Sequence, residues 1–177
     1  MGCEGRGKVR VALFIDGAAM FYAQREMGWH IDFKKVYDHF IEGKKLSGAF
    51  YFTATPPGYD KEAVSNYRRF KTFLVFTGYM VVDKEVKVIE DEKTQDIKLK
   101  GNLDIELVFR MLTSAHGYDE AVLLGGDSDY VPVIEHLRNT GKVIHCIGRR
   151  EATSLELMNV CNRYTELETL RSTIQRD

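Results

Sequence analysis

The sequence lacks a hydrophobic run of about 18 residues, and neither sign of charge is in strong excess. Without such a run, we expect no membrane-spanning segment. The formal net charge is −1, so the overall charge does not indicate nucleic-acid binding, and a phosphate group would have to meet a local basic patch or a bound metal ion. The start of the chain is polar and glycine-rich and lacks the apolar segment of a secretion signal. This predicts a flexible N-terminus over residues 1–8.

Cysteine is scarce as well. The three cysteines, Cys3, Cys146 and Cys161, show no paired spacing of the kind that zinc sites use. An odd number of scattered thiols fits a reducing compartment better than a disulfide framework, so we expect a cytoplasmic protein. The five histidines do not cluster, and the G-x-G-x-x-G fingerprint of dinucleotide-binding folds is absent. The sequence therefore favours neither a zinc centre nor a dinucleotide site.

The chain does contain a regular alternation of strand-like and helix-like segments. Apolar and β-branched runs predict strands at residues 9–15, 49–55, 79–83, 121–124 and 142–147. Helical spacing of apolar residues predicts helices at residues 18–27, 31–40, 60–76, 103–115, 130–139 and 154–161. The charged segment 84–98 is compatible with either a mobile hairpin or a loop. Strands that alternate with helices predict an α/β fold with a mostly parallel sheet covered on both faces.

The length of 177 residues suits one domain with a sizeable core. We place that domain at residues 9–170, after the flexible N-terminus. Residues 171–177 are predicted to form a C-terminal tail.

Aspartates stand where two of the predicted strands end. Asp16 closes the first apolar run, while Asp127 and Asp129 follow the strand at residues 121–124 and two glycines. Side chains at the carboxyl ends of parallel strands point into the crevice where open α/β sheets hold ligands. Carboxylates gathered there would suit a hard divalent cation, which prefers oxygen ligands.

Each of these aspartates also has a purely structural interpretation. Asp16 and Asp127 are good helix N-caps, and Asp104 lies in the first turn of its predicted helix, where it would interact favourably with the helix dipole. Capping needs only one carboxylate, however, and two close carboxylates repel each other. The pair Asp127 and Asp129 therefore favours a cation or a shared proton.

Three motifs taken together resemble the NYN domain. They lie at residues 14–17 (FIDG), 100–104 (KGNLD) and 126–132 (GDSDYVP). The resemblance covers about residues 9–170 and is to the LabA-like (DUF88) group within the PIN-like nuclease superfamily. It implies a three-layer α/β/α sandwich with a central, mostly parallel sheet of the PIN-like, Rossmannoid kind. It also implies a metal-dependent ribonuclease whose catalytic and metal-binding positions match Asp16, Asp104, Asp127 and Asp129.

An aspartate site of this kind could hold two Mg²⁺ or Mn²⁺ ions, one activating water and the other stabilising the leaving oxygen during in-line displacement at phosphorus. We expect Asp16 and Asp127 to be direct ligands, with Asp104 and Asp129 completing the shell directly or through water. The expected substrate is RNA, in single-stranded form. Whether the chain forms a homodimer or binds a protein partner is left open.

Three further residues are candidate contacts to the RNA. Ser128 could donate a hydrogen bond to a phosphate or hold a carboxylate. Lys100 could offset phosphate charge, although a solvated lysine beside a helix is the plainer interpretation. Arg149 follows a predicted strand end and could contact the RNA backbone, and a solvated basic turn explains it about as well.

The sequence also departs from the NYN pattern at three positions. Ala19 stands where many relatives have asparagine, Arg110 where many have a further aspartate, and Asn162 where an aspartate is common. These changes keep open a second hypothesis, a catalytically weak or inactive NYN-fold protein that binds RNA or a protein partner. A phosphatase is less favoured because the segment after Asp16 lacks the second aspartate of a two-aspartate phosphatase motif.

Overall fold

The computed structural model describes residues 7–85, 87–90, 97–100 and 103–177, and it describes residues 87–90 and 97–100 through their backbone alone. The strands in these residues are β1 Arg10–Asp16, β2 Lys45–Thr55, β3 Met80–Glu85, β4 Lys87–Glu90, β5 Ile97–Lys100, β6 Glu120–Leu124, β7 Val143–Gly148 and β8 Arg163–Glu166. The helices are α1 Gly17–Met27, α2 Phe33–Ile41, α3 Lys61–Thr77, α4 Asp104–Thr113, α5 Val131–Asn139, α6 Leu155–Val160 and α7 Arg171–Ile174. Within the same residues, none of the helices combines the length and the apolar character that crossing a bilayer requires.

Six of the strands form one sheet in the order β3-β2-β1-β6-β7-β8. All neighbouring strands in it are parallel, which confirms the expectation of a mostly parallel sheet. The chain builds outward from β1 through β2 to β3, and then crosses to the other side of β1 to build β6, β7 and β8. The strand order therefore reverses between β1 and β6. In open α/β sheets, the crevice at the carboxyl ends of two such strands is the usual ligand site.

Helices cover both faces of this sheet. Along β1, Val11, Leu13 and Ile15 pack into a core shared with α1, α2, α3 and α7. The alternate residues, Ala12 and Phe14, pack into a second core shared with α4, α5 and α6. Both faces of the strand are apolar because both are covered, as is typical of parallel sheets. The three-layer α/β/α sandwich is confirmed.

Several segments differ from the sequence-based expectation. Strand β8 was not predicted, because Arg163 is exposed, the other three residues are only half-buried, and the strand carries no apolar alternation. In the ambiguous segment 84–98, β4 and β5 pair in antiparallel fashion, which matches the hairpin alternative. The segment that we expected to be a tail includes α7, in which Ile174 is fully buried, and Gln175 bridges to Ile31. A single buried isoleucine is not a periodic pattern, so no local signal in the sequence indicates this packing.

Gly17, the first residue of α1, lets that helix start directly against β2. A Cβ atom at this position would lie 2.4 Å from the backbone oxygen of Phe52 and 2.8 Å from a ring carbon of Tyr51. We therefore expect Gly17→Ala to lower the free energy of unfolding by about 1–3 kcal/mol, the usual cost of overpacking a closed site. Urea denaturation measures this change. Gly58→Ala is the control, because its Cβ would meet no atom within 4 Å, and equal midpoints for the two variants would refute the close-packing argument.

Candidate active site

Asp16 uses its two carboxylate oxygens for different purposes. Its Oδ1 accepts a hydrogen bond from the backbone nitrogen of Ala19 at 3.0 Å, so Asp16 does cap α1. Its Oδ2 accepts a hydrogen bond from the Tyr130 hydroxyl at 2.9 Å. Burial raises the pKa of Asp16 above its ordinary value, and the nearby charge of Asp104 adds to this, although the hydrogen bonds from Ala19 and Tyr130 act in the opposite direction.

Asp127 and Asp129 are placed by the tight exit from β6. Asp127 Oδ1 accepts a hydrogen bond from the backbone nitrogen of Asp129 at 2.9 Å and so starts the short 3-10 turn that leads into α5. The turn is tight because Gly126 lies against the neighbouring loop, where a Cβ atom would meet the backbone oxygen of Ala152 at 2.6 Å. Both aspartates are exposed to solvent.

Asp104 completes a carboxylate cluster, by which we mean Asp104, Asp127 and Asp129. Asp104 is the first residue of α4, and it comes from the crossover that connects the two halves of the sheet. One carboxylate oxygen from each of the three residues lies within 4.8 Å of the other two. Three negative groups this close repel one another unless protons or a cation offset their charge.

Tyr130 connects the cluster to Asp16. Its hydroxyl lies 2.8 Å from Asp104 Oδ1 and 2.9 Å from Asp16 Oδ2, while its ring is fully buried in the core. The single proton of this hydroxyl is therefore shared between two carboxylates. Burial and the two negative charges raise the pKa of Tyr130 far above its usual range, so the hydroxyl remains a donor. Tyr130 belongs to the motif at residues 126–132, but nothing in the sequence indicated a role for its hydroxyl.

A cavity of about 550 Å³ opens beside these groups. Asp16, Asp104, Asp127 and Tyr130 line it, together with Gly125 and Gly126 from the end of β6 and residues of α1. This position is the crevice between β1 and β6 that the reversal of strand order predicts. The carboxylate oxygens that line this crevice are ligands that suit a hard divalent cation.

Comparison with known proteins gives the family. A sequence model of the NYN domain matches residues 10–168, which is almost the whole chain. The chain belongs to the NYN domain family. It is also 35% identical over 170 residues to the low amplitude and bright protein LabA of Synechococcus elongatus, a match that covers 94% of this chain and 88% of the relative.

The same NYN fold is found in a solved structure. The crystal structure of a protein of unknown function from Vibrio parahaemolyticus superposes with a TM-score of 0.78, covering 98% of this chain and 99% of that one. The two sequences are 18% identical, so this likeness concerns the fold alone.

The carboxylates that the sequence singled out are grouped unevenly in this NYN domain. The structure brings Asp104, Asp127 and Asp129 together, whereas Asp16 joins them through the hydroxyl of Tyr130. Direct metal ligation by Asp16 therefore remains a prediction.

The three candidate RNA contacts have different surroundings. Arg149 lines the cavity, yet its side chain is only 15% exposed and forms ion pairs with Glu26, Glu151 and Glu168, the last at 2.9 Å. Ser128 is exposed between the two aspartates of the 3-10 turn. Lys100 ends β5, and its side chain lies outside the described part of the structure.

The three residues that depart from the NYN pattern lie in different parts of the structure. Ala19 lines the cavity, so an asparagine there would reach the site. The Arg110 guanidinium lies 5.2 Å from the centre of the Phe50 ring, and Arg110 is not one of the residues that line the cavity. Asn162 Oδ1 accepts a hydrogen bond from the backbone nitrogen of Ile144 at 2.8 Å, near the amino end of β7 and thus at the opposite end of the sheet. Of the three positions, only Ala19 bears on the chemistry of the cavity.

Proposed function

We propose that this NYN domain is a metal-dependent ribonuclease that hydrolyses phosphodiester bonds of single-stranded RNA. The observation that carries the proposal is the carboxylate cluster, because three carboxylate oxygens lie within 4.8 Å of one another and two of the three residues, Asp104 and Asp127, line the cavity. Carboxylate oxygens are the ligands that Mg²⁺ and Mn²⁺ prefer. Asp104, Asp127 and Asp129 would hold such an ion. The family relationship supports a nuclease of the PIN-like kind.

A bound Mg²⁺ or Mn²⁺ would supply a water of lowered pKa and would stabilise negative charge on the phosphate oxygens. The protein's own groups set up this chemistry. Tyr130 donates its hydroxyl proton toward Asp16 and Asp104 and so fixes the orientation of both carboxylates. The backbone nitrogen of Asp129 orients Asp127 in the same way. Asp16 could take part in a second ion site of a two-metal mechanism, with Tyr130 keeping it beside Asp104.

The residues around the cavity have proposed roles toward the RNA. Ser128 is free to donate its hydroxyl to a phosphate because its side chain is exposed beside the carboxylate cluster. Arg149 would contact a phosphate only by exchanging one of its three carboxylate partners, so we assign it mainly to holding the cavity wall. Lys100 is retained as a proposed contact on sequence grounds alone.

One observation favours a second function, RNA or protein binding without turnover. Ala19 lines the cavity where many relatives have asparagine, and a methyl group can orient neither water nor phosphate. Such a protein would associate with its partner and would release no cleavage product, even at millimolar Mn²⁺.

Calorimetric titration with Mn²⁺ tests the proposed metal site directly. We expect one saturable site in the native protein and at least tenfold weaker binding in Asp104→Asn, since even outer partners of metal ligands contribute about 10- to 100-fold. Asp16→Asn should weaken binding less, because Asp16 reaches the cluster through Tyr130. Asp38→Asn is the control, as this carboxylate pairs with Lys34 on the surface of α2. If Mn²⁺ gives no saturable binding, even with RNA present, the nuclease proposal fails and the binding function is favoured.

A further inference from the structure

Two neighbouring aromatic side chains are exposed on the outer face of α1. Phe21 is 55% exposed and Tyr22 is 61% exposed. Their ring centroids lie 5.5 Å apart at an interplanar angle of 79°. The guanidinium carbon of Arg25 lies 5.7 Å from the centroid of the Phe21 ring, one helical turn further along α1. Aromatic rings contribute most when they are covered, so these two adjacent rings offer a surface on which another molecule can stack.

Tyr22 is also part of the candidate active site, since it lines the same cavity as Asp16, Asp104 and Asp127. Helix α1 starts directly after Asp16, and a rise of 1.5 Å per residue puts Tyr22 about 9 Å along the helix from that carboxylate. With the scissile phosphate at the carboxylate cluster, as the proposed function requires, a neighbouring nucleotide would lie within reach of the Tyr22 ring.

The negative charge around the cavity favours contacts to RNA bases over contacts to RNA phosphates. Asp16, Asp104, Asp127 and Glu26 give the lining a strongly negative character, and the guanidinium of Arg149 is already paired with three carboxylates. The overall charge of −1 adds no general attraction for RNA. A polyanion held at such a mouth needs affinity from a source other than phosphate pairing, and stacking of bases on aromatic rings supplies it without regard to sequence.

We propose that Tyr22, supported by Phe21 and Arg25, is a stacking platform for the nucleobases of single-stranded RNA at the mouth of the active site. The proposal rests on the proposed nuclease function and adds a reason for strand preference. Bases within a duplex are already stacked on their neighbours, whereas bases of a single strand are available to an aromatic ring or a guanidinium plane. The platform thus selects unpaired RNA.

Fluorescence anisotropy with a labelled ten-nucleotide single-stranded RNA tests this role. The assay uses Ca²⁺, a hard cation that carboxylates also bind, and a gel confirms that the probe stays intact. We expect Tyr22→Ala to weaken binding about fivefold to 100-fold, as the loss of one stacked base predicts. Tyr22→Phe should stay within about twofold of the native protein, because the ring is kept.

Three controls make the result specific. Phe109→Ala removes a ring that is 65% exposed on α4 and does not line the cavity, and it should leave binding unchanged. A ten-nucleotide strand with abasic sites should bind the native protein and Tyr22→Ala equally weakly. A duplex of the same length should be insensitive to Tyr22→Ala.

The platform would be overturned if Tyr22→Ala bound the single-stranded RNA as tightly as the native protein does. It would also be overturned if Phe109→Ala lost as much RNA affinity as Tyr22→Ala. Absence of any single-strand binding by the native protein would overturn it as well. If Mn²⁺-dependent cleavage is observed and Tyr22→Ala binds normally, the platform is wrong while the nuclease function stands. If RNA binding does not depend on Tyr22 but the binding of a purified protein does, the surface is a protein-docking site instead.

Discussion

Asp127→Asn is expected to reduce Mn²⁺-dependent cleavage of single-stranded RNA by about 100-fold or more. Changes to the outer partners of metal ligands already cost about 10- to 100-fold, and Asp127 offers one of the three oxygens of the carboxylate cluster itself. The substitution should not unfold the protein, because an asparagine oxygen can still accept the hydrogen bond from the backbone nitrogen of Asp129. It also removes one negative charge from a cluster whose members repel one another. Melting temperature should therefore hold or rise slightly as activity falls.

The assay compares initial cleavage rates on a labelled single-stranded RNA with thermal denaturation of the same samples. Asp38→Asn again serves as the matched control, and it should cleave at the native rate. Cleavage by Asp127→Asn within a few-fold of the native rate would show that the carboxylate cluster is not the catalytic centre. A parallel drop in activity and melting temperature would point to a structural role.

The stability of the protein should fall steeply between pH 7 and pH 4.5, in large part through His145. This residue of β7 is 6% exposed, and its Nε2 lies 2.8 Å from Thr165 Oγ1. Burial, with a smaller contribution from the positive charge of Arg163, lowers the pKa of His145 to about 4. The other charged neighbours are Glu120, which acts in the opposite direction, Lys44 and His39.

The sign follows from the two states of the chain. In the unfolded chain the histidine takes up a proton near pH 6.5, while in the folded protein it stays neutral down to about pH 4. The contribution of neutral His145 to stability is therefore complete above pH 6.5 and is lost as the pH falls toward 4. The difference between the pKa of the histidine in the unfolded chain and in the folded protein corresponds to a loss of about 2–3 kcal/mol in the free energy of unfolding at pH 4.5.

Urea denaturation at a series of pH values measures this loss. In His145→Gln the fall in the free energy of unfolding between pH 7 and pH 4.5 should be smaller than in the native protein by that amount. The acidic groups of the active site titrate in both proteins and cancel in the comparison. His136→Gln, which changes an exposed histidine of α5, should keep the native pH profile. Identical pH profiles for His145→Gln and the native protein would contradict the buried-histidine explanation.

The fold was predictable because the sequence repeats strong local signals. The buried runs of β1 and β6, the apolar stripes of the helices and the αL glycine that ends α1 each indicate an element independently. The exceptions are short or irregular. Strand β8 is an edge strand of four residues, none of which is fully buried, and α7 is placed by one buried isoleucine. Tertiary packing determines both, and no local pattern encodes it.

The site was predictable in its position but only partly in its arrangement. Strands ending in aspartate indicated that Asp16 and Asp127 lie at one crevice, as they do. The sequence could not tell that the oxygens of Asp104 group with those of Asp127 and Asp129, because that depends on how α4 approaches the sheet. Tyr130 went unrecognised because a tyrosine that leads into an apolar helix is indistinguishable in sequence from any other core residue. Its hydroxyl has a role only after β1, α4 and the turn after β6 have met.

The crossover from β3 to β6 sets the order in which this centre can mature. The first half of the chain forms β1, β2 and β3 and contributes Asp16, while the second half contributes the turn after β6. Asp104 is carried by the connection between them. During synthesis from the N-terminus, a nascent chain that has produced only the first three strands contains Asp16 but neither Tyr130 nor any residue of the carboxylate cluster. The three carboxylates of the cluster can therefore meet Asp16 and Tyr130 only after the chain has crossed to β6, so the winding of the sheet makes assembly of the site a late event in synthesis.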